Sequence, residues 1–168
     1  MSHPIEIERK YVIAMPDIGL IELQDSYTVS DILQTYLESE PGITHRVRAR
    51  SYKDATLYTE TKKMRIDKIS SFEDERQISE DEYVRLLERI KAGTHTLRKT
   101  RHTFLYLGQM FEVDIYPEWQ RSCIMETELD SPGKEVLMPQ FISVIAEVSG
   151  DKRYSNASMS YEFPEELV

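Results

Sequence analysis

A chain of 168 residues is long enough for one domain with a substantial core, and at 40% hydrophobic it is expected to fold. Its net charge of -9 argues against a general nucleic-acid binder, because phosphate backbones need a positive field. The single cysteine, Cys123, excludes an intramolecular disulfide and a cysteine-rich zinc site. Neither a leader pattern nor an apolar run of membrane-spanning length is read, so no membrane partner and a cytoplasmic location are expected.

Residues 5–13 read as a first strand. With side chains alternating between faces, Glu6, Glu8 and Lys10 share one face, and Ile7, Arg9, Tyr11 and Ile13 take the other. Residues 18–23 follow the breakers Pro16 and Asp17 as a short helix or loop. Residues 28–37 are β-branched and aromatic enough for a second strand, and Glu40-Pro41-Gly42 is turn chemistry. Residues 43–50 place Arg46, Arg48 and Arg50 at strict period two, on one face of a strand. After a hairpin at Tyr52–Ala55, residues 56–62 form the return strand, with Glu60 and Lys62 together. Residues 64–71 are polar and expected to be a mobile connection. Residues 72–78 pair Glu73 with Glu75.

Ser79 with Glu82 is a capping box. Tyr83, Leu86, Leu87 and Ile90 then make a helical apolar stripe that ends at Lys91-Ala92-Gly93. Strands resume at 97–106, where Lys99 and Arg101 share a face. They continue at 110–116 with Glu112 and Asp114, and at 123–129 with Glu126 and Glu128. Ser131-Pro132-Gly133 is expected to open a short helix ending before Pro139. Residues 143–149 read as one more short strand, and residues from 152 as a terminal helix or loop.

Each charged pair alone is ordinary for a half-solvated strand. Four carboxylate pairs and two cationic pairs in separate strands are harder to leave to solvent. A closed barrel puts all of them inside. Arg and Lys bind phosphate oxygens directly, and carboxylates reach phosphate only through Mg²⁺ or Mn²⁺. Such an interior suits a polyanion with divalent cations, and phosphoryl transfer in particular. His3, His45, His95 and His102 are not spaced as a metal set. Cys123 reads as a small buried hydrophobe, and Trp119 as a packing residue at a barrel rim.

The ordered set resembles the CYTH, or triphosphate tunnel metalloenzyme, superfamily. It begins with Glu-x-Glu-x-Lys at Glu6, Glu8 and Lys10. It runs through Gln34-Thr35-Tyr36-Leu37, Arg46-Val47-Arg48 and the strand ending at Lys62. Next come Glu73-Asp74-Glu75, Lys99-Thr100-Arg101, Glu112-Val113-Asp114 and Glu126-Thr127-Glu128. It ends at Glu147-Val148-Ser149-Gly150-Asp151-Lys152-Arg153-Tyr154-Ser155-Asn156. The resemblance implies an α+β, mainly β fold: an eight-stranded antiparallel barrel with helices outside, residues 1–168 being one such domain.

It further implies that Arg46, Arg48, Lys62, Lys99 and Arg101 bind a triphosphate, with Lys10 contacting the terminal phosphate or orienting the attacking water. Glu6 and Glu8, with Glu126 and Glu128, are the implied ligands of Mg²⁺ or Mn²⁺ and, with Lys10, the implied catalytic group. That water is expected to be activated by metal rather than by a side-chain base. Glu73, Glu75, Glu112 and Asp114 are implied as supporting residues or further ligands. Tyr154 either closes one tunnel end or packs the terminal segment.

Two departures from the pattern stand out. Glu60 occupies the position two before Lys62 where the family carries Thr, which leaves Lys63 as a competitor. Arg50 extends the arginine strand. The ending looks like the bacterial tripolyphosphatase branch, which implies hydrolysis of inorganic tripolyphosphate to pyrophosphate and phosphate. Class IV adenylyl cyclase, thiamine or nucleoside triphosphatase, and a polyphosphate- or nucleotide-binding module are the alternatives. A small-molecule triphosphate is the expected partner, with no stable nucleic-acid binding and a possible homodimer.

Overall fold

The structure, a computed structural model, describes residues 5–167. His3, among Met1–Pro4, lies outside the described residues, as does Val168. Nine strands form one antiparallel sheet that closes on itself: β1 (Ile5–Ala14), β2 (Asp25–Leu37), β3 (Thr44–Ser51), β4 (Thr56–Arg65), β5 (Ser70–Ile78), β6 (Leu97–Tyr106), β7 (Gln109–Ile115), β8 (Ser122–Glu128) and β9 (Val144–Glu147). Their order is β5-β4-β3-β2-β6-β7-β8-β1, with β1 returning to pair β5. The result is the expected mainly β fold, an eight-stranded antiparallel barrel.

The closing seam is short. β1 meets β5 only through Ile5↔Phe72, Glu6↔Ser71 and Ile7↔Ser70. Farther along β1, that edge is taken by β9 at Tyr11↔Glu147 and Val12↔Ala146. Arg9 lies on the outer face, ion-paired with Glu147.

Helices α1 (Ile18–Glu22) and α2 (Glu80–Leu87) pack outside the barrel, and α3 (Asn156–Met159) sits near its C-terminal end. Ser79 caps α2 by accepting from the Glu82 amide, as the capping box requires. Tyr83, Leu86 and Leu87 then cover Val47, Ala49 and Ile78 on the outer sheet face. A second outer cluster joins Tyr11, Ile13, Phe104, Phe111, Val113, Cys123 and Met125 to Ile21 of α1 and to Ile142. On both sides of the barrel, period-two alternation turns one apolar row outward under a helix or strap and sends the charged row inward.

Three local expectations are corrected. The polar stretch 64–71 is not a long mobile connection. β4 runs to Arg65 and β5 starts at Ser70, joined by a tight turn in which Asp67 accepts from the amides of Ile69 and Ser70. No helix forms at 131–139, where Pro132, Gly133 and Pro139 interrupt the backbone. Helix α2 ends at Leu87, before Gly93; Ile90 leaves the helical stripe to make an isolated β-bridge with Leu37, and Gly93 sits at φ +82°.

Candidate functional site

The inward rows of the strands enclose a cavity of about 640 Å³. Its walls differ in sign. Glu6, Glu8 and Lys10 of β1, Glu73 and Glu75 of β5, Glu112 of β7, and Glu126 and Glu128 of β8 line one side. Arg46, Arg48 and Arg50 of β3, Lys63 and Arg65 of β4, and Arg101 of β6 line the other. Register places them together. Glu8 sits opposite Glu128, Lys10 opposite Glu126, Glu112 opposite Glu126, and Arg101 opposite Asp114.

One end of the barrel is shut. On four strands the inward row turns apolar or aromatic two residues beyond a charge: Lys10 to Val12, Glu126 to Ile124, Lys99 to Leu97, and Asp114 to Tyr116. These four pack with Tyr36, Trp119, Val148, Tyr154 and Met159. Tyr154 is buried in this plug, and its carbonyl accepts from Lys10 Nζ at 3.1 Å. Beside the plug, residues 148–151 cross the β4–β5 turn so closely that a Cβ on Gly150 would stand 2.9 Å from Lys68. Gly150 also adopts φ +75°, which glycine tolerates best.

Charges near the plug are paired. Asp114 accepts from Lys99 Nζ at 2.8 Å and from Arg101 Nε at 2.7 Å and Nη2 at 2.8 Å. Burial opposes ionisation of Asp114, yet Arg101 and Lys99 hold its carboxyl well below the usual range. Lys99 is pushed down to about 7, because burial outweighs the attraction of Asp114. Lys10 Nζ lies 3.2 Å from Glu126. Burial pushes Glu126 up, but Lys10 and its cationic neighbours bring it down to about 2.

Elsewhere in the lining, like charges crowd together. Burial, a hydrogen bond shared with Glu73 and the Glu73 charge push Glu6 up to about 9. Burial and Glu126 push Glu8 up to about 7, against the pull of Lys10 and Lys63. Burial, with Arg46 and Arg101 close by, lowers Arg48 to about 9. The Arg48 guanidinium donates to a neutral acceptor, Gln34 Oε1, at 2.7 and 3.0 Å. Arg50 donates to Ser30 Oγ at 2.8 Å. Arg46 reaches Glu73 at 3.4 Å, and its buried Nε has no hydrogen-bond partner. Among the described residues no three acidic, cysteine or histidine groups already converge as a metal cage.

Most of the anticipated residues line this cavity, and four do not: Lys62, Lys99, Asp114, which is buried behind the lining, and Tyr154, which is buried in the plug. Lys62 is exposed on the outer face of β4, and Lys63 points inward, so the tunnel lysine of this strand is Lys63. The displaced threonine supplies the missed signal: Thr61 stands two residues before Lys63, lines the cavity and donates to Glu75 at 2.8 Å. Lys99 is 1% exposed and sits behind the lining, against Asp114. All three arginines of β3, Arg50 included, face the cavity. Tyr36 and Asn156 also line it, within motifs the sequence presents but with no role read for them.

No protein-family model matches the chain, and no curated protein sequence does. Solved structures do match. The inorganic triphosphatase NE1496 superposes with a TM-score of 0.59 at 26% identity, over 95% of this chain and 96% of that one. The PH1819 protein from Pyrococcus horikoshii OT3 gives a TM-score of 0.56 at 18% identity, over 76% and 80% of the two chains. A putative adenylyl cyclase from Hippeastrum, described as having a dominant triphosphatase activity, gives 0.50 at 15% identity, over 75% and 81%. The last two similarities speak to the fold alone.

Proposed function

We propose that this chain, which belongs to the CYTH or triphosphate tunnel superfamily, is a divalent-metal-dependent triphosphatase that splits inorganic tripolyphosphate into pyrophosphate and phosphate. One observation carries the proposal. A single cavity sets crowded carboxylates on β1, β5 and β8 against arginines on β3 that have only neutral or partial partners. The similarity to an inorganic triphosphatase over nearly the full length of both chains supports it.

The donor set suits Mg²⁺ or Mn²⁺. Burial first, and then the neighbouring carboxylates Glu73 and Glu126, raise Glu6 and Glu8, a strain that a divalent cation would relieve. Mg²⁺ usually takes one or two protein carboxylates and fills its shell with water and phosphate oxygens, so a ready-made three-carboxylate cage is not required. Glu6, Glu8, Glu126 and Glu128 would hold it. When bound, the ion neutralises phosphate oxygens and lowers the pKa of a coordinated water.

The chain's own residues do the rest. Arg46, Arg48 and Arg101 present guanidinium N–H groups to the phosphate oxygens, and the orphaned Nε of Arg46 gains an acceptor. Lys10, kept charged by Glu126 and Glu8 despite its burial, faces the terminal phosphoryl group. Water oxygen attacks the terminal phosphorus, the bridging P–O bond breaks, and pyrophosphate leaves under the arginines. Nucleotide recognition finds little support: Trp119 is buried in the plug, its indole N–H given to the Pro164 carbonyl at 3.2 Å, and does not line the cavity.

The test is a panel of tripolyphosphate, ATP and thiamine triphosphate with Mg²⁺ or Mn²⁺, followed for phosphate, pyrophosphate and cyclic AMP. Phosphate release from tripolyphosphate that stops with EDTA is expected. Tight binding without turnover would make the barrel a binding module, and cyclic AMP from ATP would make it a cyclase.

A further inference from the structure

Asn156 is held in a way that packing alone does not require. Its side-chain Oδ1 accepts from the Tyr116 hydroxyl at 2.5 Å and from Lys99 Nζ at 3.4 Å. The amide oxygen faces the Tyr116 hydroxyl and the Lys99 side chain, an orientation in which both partners donate. Both acceptor sites of Oδ1 are then used. The amide nitrogen, with two N–H donors, has no protein partner among the described residues. It is also not among the buried unpartnered side-chain atoms, which are Arg46 Nε and Thr103 Oγ1. Asn156 is one of the residues that line the cavity.

Its position matters as much as its orientation. Lys10, on the same cavity wall, donates to the carbonyl of Tyr154, two residues before Asn156. Both therefore lie toward the end of the cavity that the apolar plug closes. Lys99, behind the lining, reaches Asp114 and Asn156.

We infer that the Asn156 amide is a substrate-binding donor for the non-bridging oxygens of the terminal phosphoryl group, and that Tyr116 and Lys99 act through it as positioning residues. The inference rests on the triphosphatase reading of the same cavity. A neutral N–H donor adds binding where a further cation would face the buried Lys10 and Lys99. Loss of a hydrogen bond to a charged group weakens binding by roughly tenfold to a hundredfold.

Calorimetric binding of tripolyphosphate, with and without Mg²⁺, tests it together with KM, kcat and melting temperature. Asn156→Asp keeps an oxygen for Tyr116 and Lys99 but turns an acceptor toward the phosphate. It should weaken binding at least about a hundredfold, and Asn156→Ala about tenfold to a hundredfold. Tyr116→Phe should weaken binding about twofold to tenfold in the native background, and add nothing in the Asn156→Ala background. That non-additivity separates positioning from general destabilisation, and Asn156→Ala carries the test if the aspartate variant does not fold. Native affinity in Asn156→Asp or Asn156→Ala overturns the inference and leaves the triphosphatase proposal standing. Absence of tripolyphosphate binding by the unsubstituted protein overturns both.

Discussion

The plugged end of the barrel and the open stretch of cavity beside it treat charge in opposite ways. Around Asp114 and Lys10 the buried charges touch their opposites: Asp114 with Lys99 and Arg101, Lys10 with Glu126. In the open stretch Glu6 leans on Glu73, Glu8 on Glu126, and Arg48 has only the neutral Gln34. The paired groups are the more deeply buried, and yet it is the crowded ones that lack a partner of opposite charge. Satisfied pairs hold a structure, whereas crowded like charges are tolerated where a ligand of opposite sign relieves them. The contrast marks the crowded carboxylates and the β3 arginines as the groups that gain most from a ligand, and the buried Asp114 cluster as the support behind them.

The largest expected effect comes from removing the support. Asp114→Ala strands Lys99 and Arg101 in the interior, and breaking a buried pair costs about 3–5 kcal/mol. A urea melt should show that loss. A change below about 1 kcal/mol would mean that these cations find other partners, and the division of the barrel into two regions would fail.

Glu8→Gln should act in the opposite sense. Removing a proposed metal ligand should cost several kcal/mol in kcat/KM. In EDTA at pH 8 the variant should melt higher than the native chain, because a like-charge contact with Glu126 is gone. Near-native turnover would take Glu8 out of the metal site.

Titration gives a third handle. Glu6 and Glu8 have ordinary values of 4.5 and are raised to about 9 and about 7 in the fold. For an acid raised on folding, stability is fully present below the unfolded value and is lost as pH climbs through the folded one. With metal removed, the melting temperature should therefore fall from about pH 5 to pH 7, above which the lowered Lys99 acts in the opposite sense, and Mg²⁺ should flatten that slope. A flat or rising profile in EDTA would contradict the crowding of these carboxylates.

How much of this was legible in the sequence depends on distance along the chain. Strict i, i+2 repeats such as Glu6/Glu8 and Arg46/Arg48 reveal which residues share a face, because alternation is local. The ordered motifs indicated barrel closure, although the seam holds only three residue pairs. The plug was not legible. Val12, Ile124, Leu97 and Tyr116 come from four strands and meet only because the registers bring them to one end. Asn156 was visible in a motif but had no assigned job, since its orientation depends on Tyr116, 40 residues away. The absent helix at 131–139 shows the limit of local signals, with Pro132 and Gly133 opening a loop instead.

The smallest expected effect separates two adjacent residues. A strand allows only one of Lys62 and Lys63 to face the cavity, and a one-residue slip would exchange them. β4 pairs Lys63 with Thr44 and Glu73, and the Lys63 ammonium lies 3.8 Å from Glu73. Lys62 pairs with His45 and Asp74 on the outer face. Lys63→Ala should raise KM for tripolyphosphate about tenfold, as expected for losing one contact to a charged group. Lys62→Ala should leave KM and kcat within about twofold, because an exposed surface substitution away from the site is nearly neutral. The reverse outcome would place Lys62 in the tunnel and shift the register of the strand. That register also carries Thr61, so Thr61→Val should follow Lys63→Ala in direction, with a smaller rise in KM.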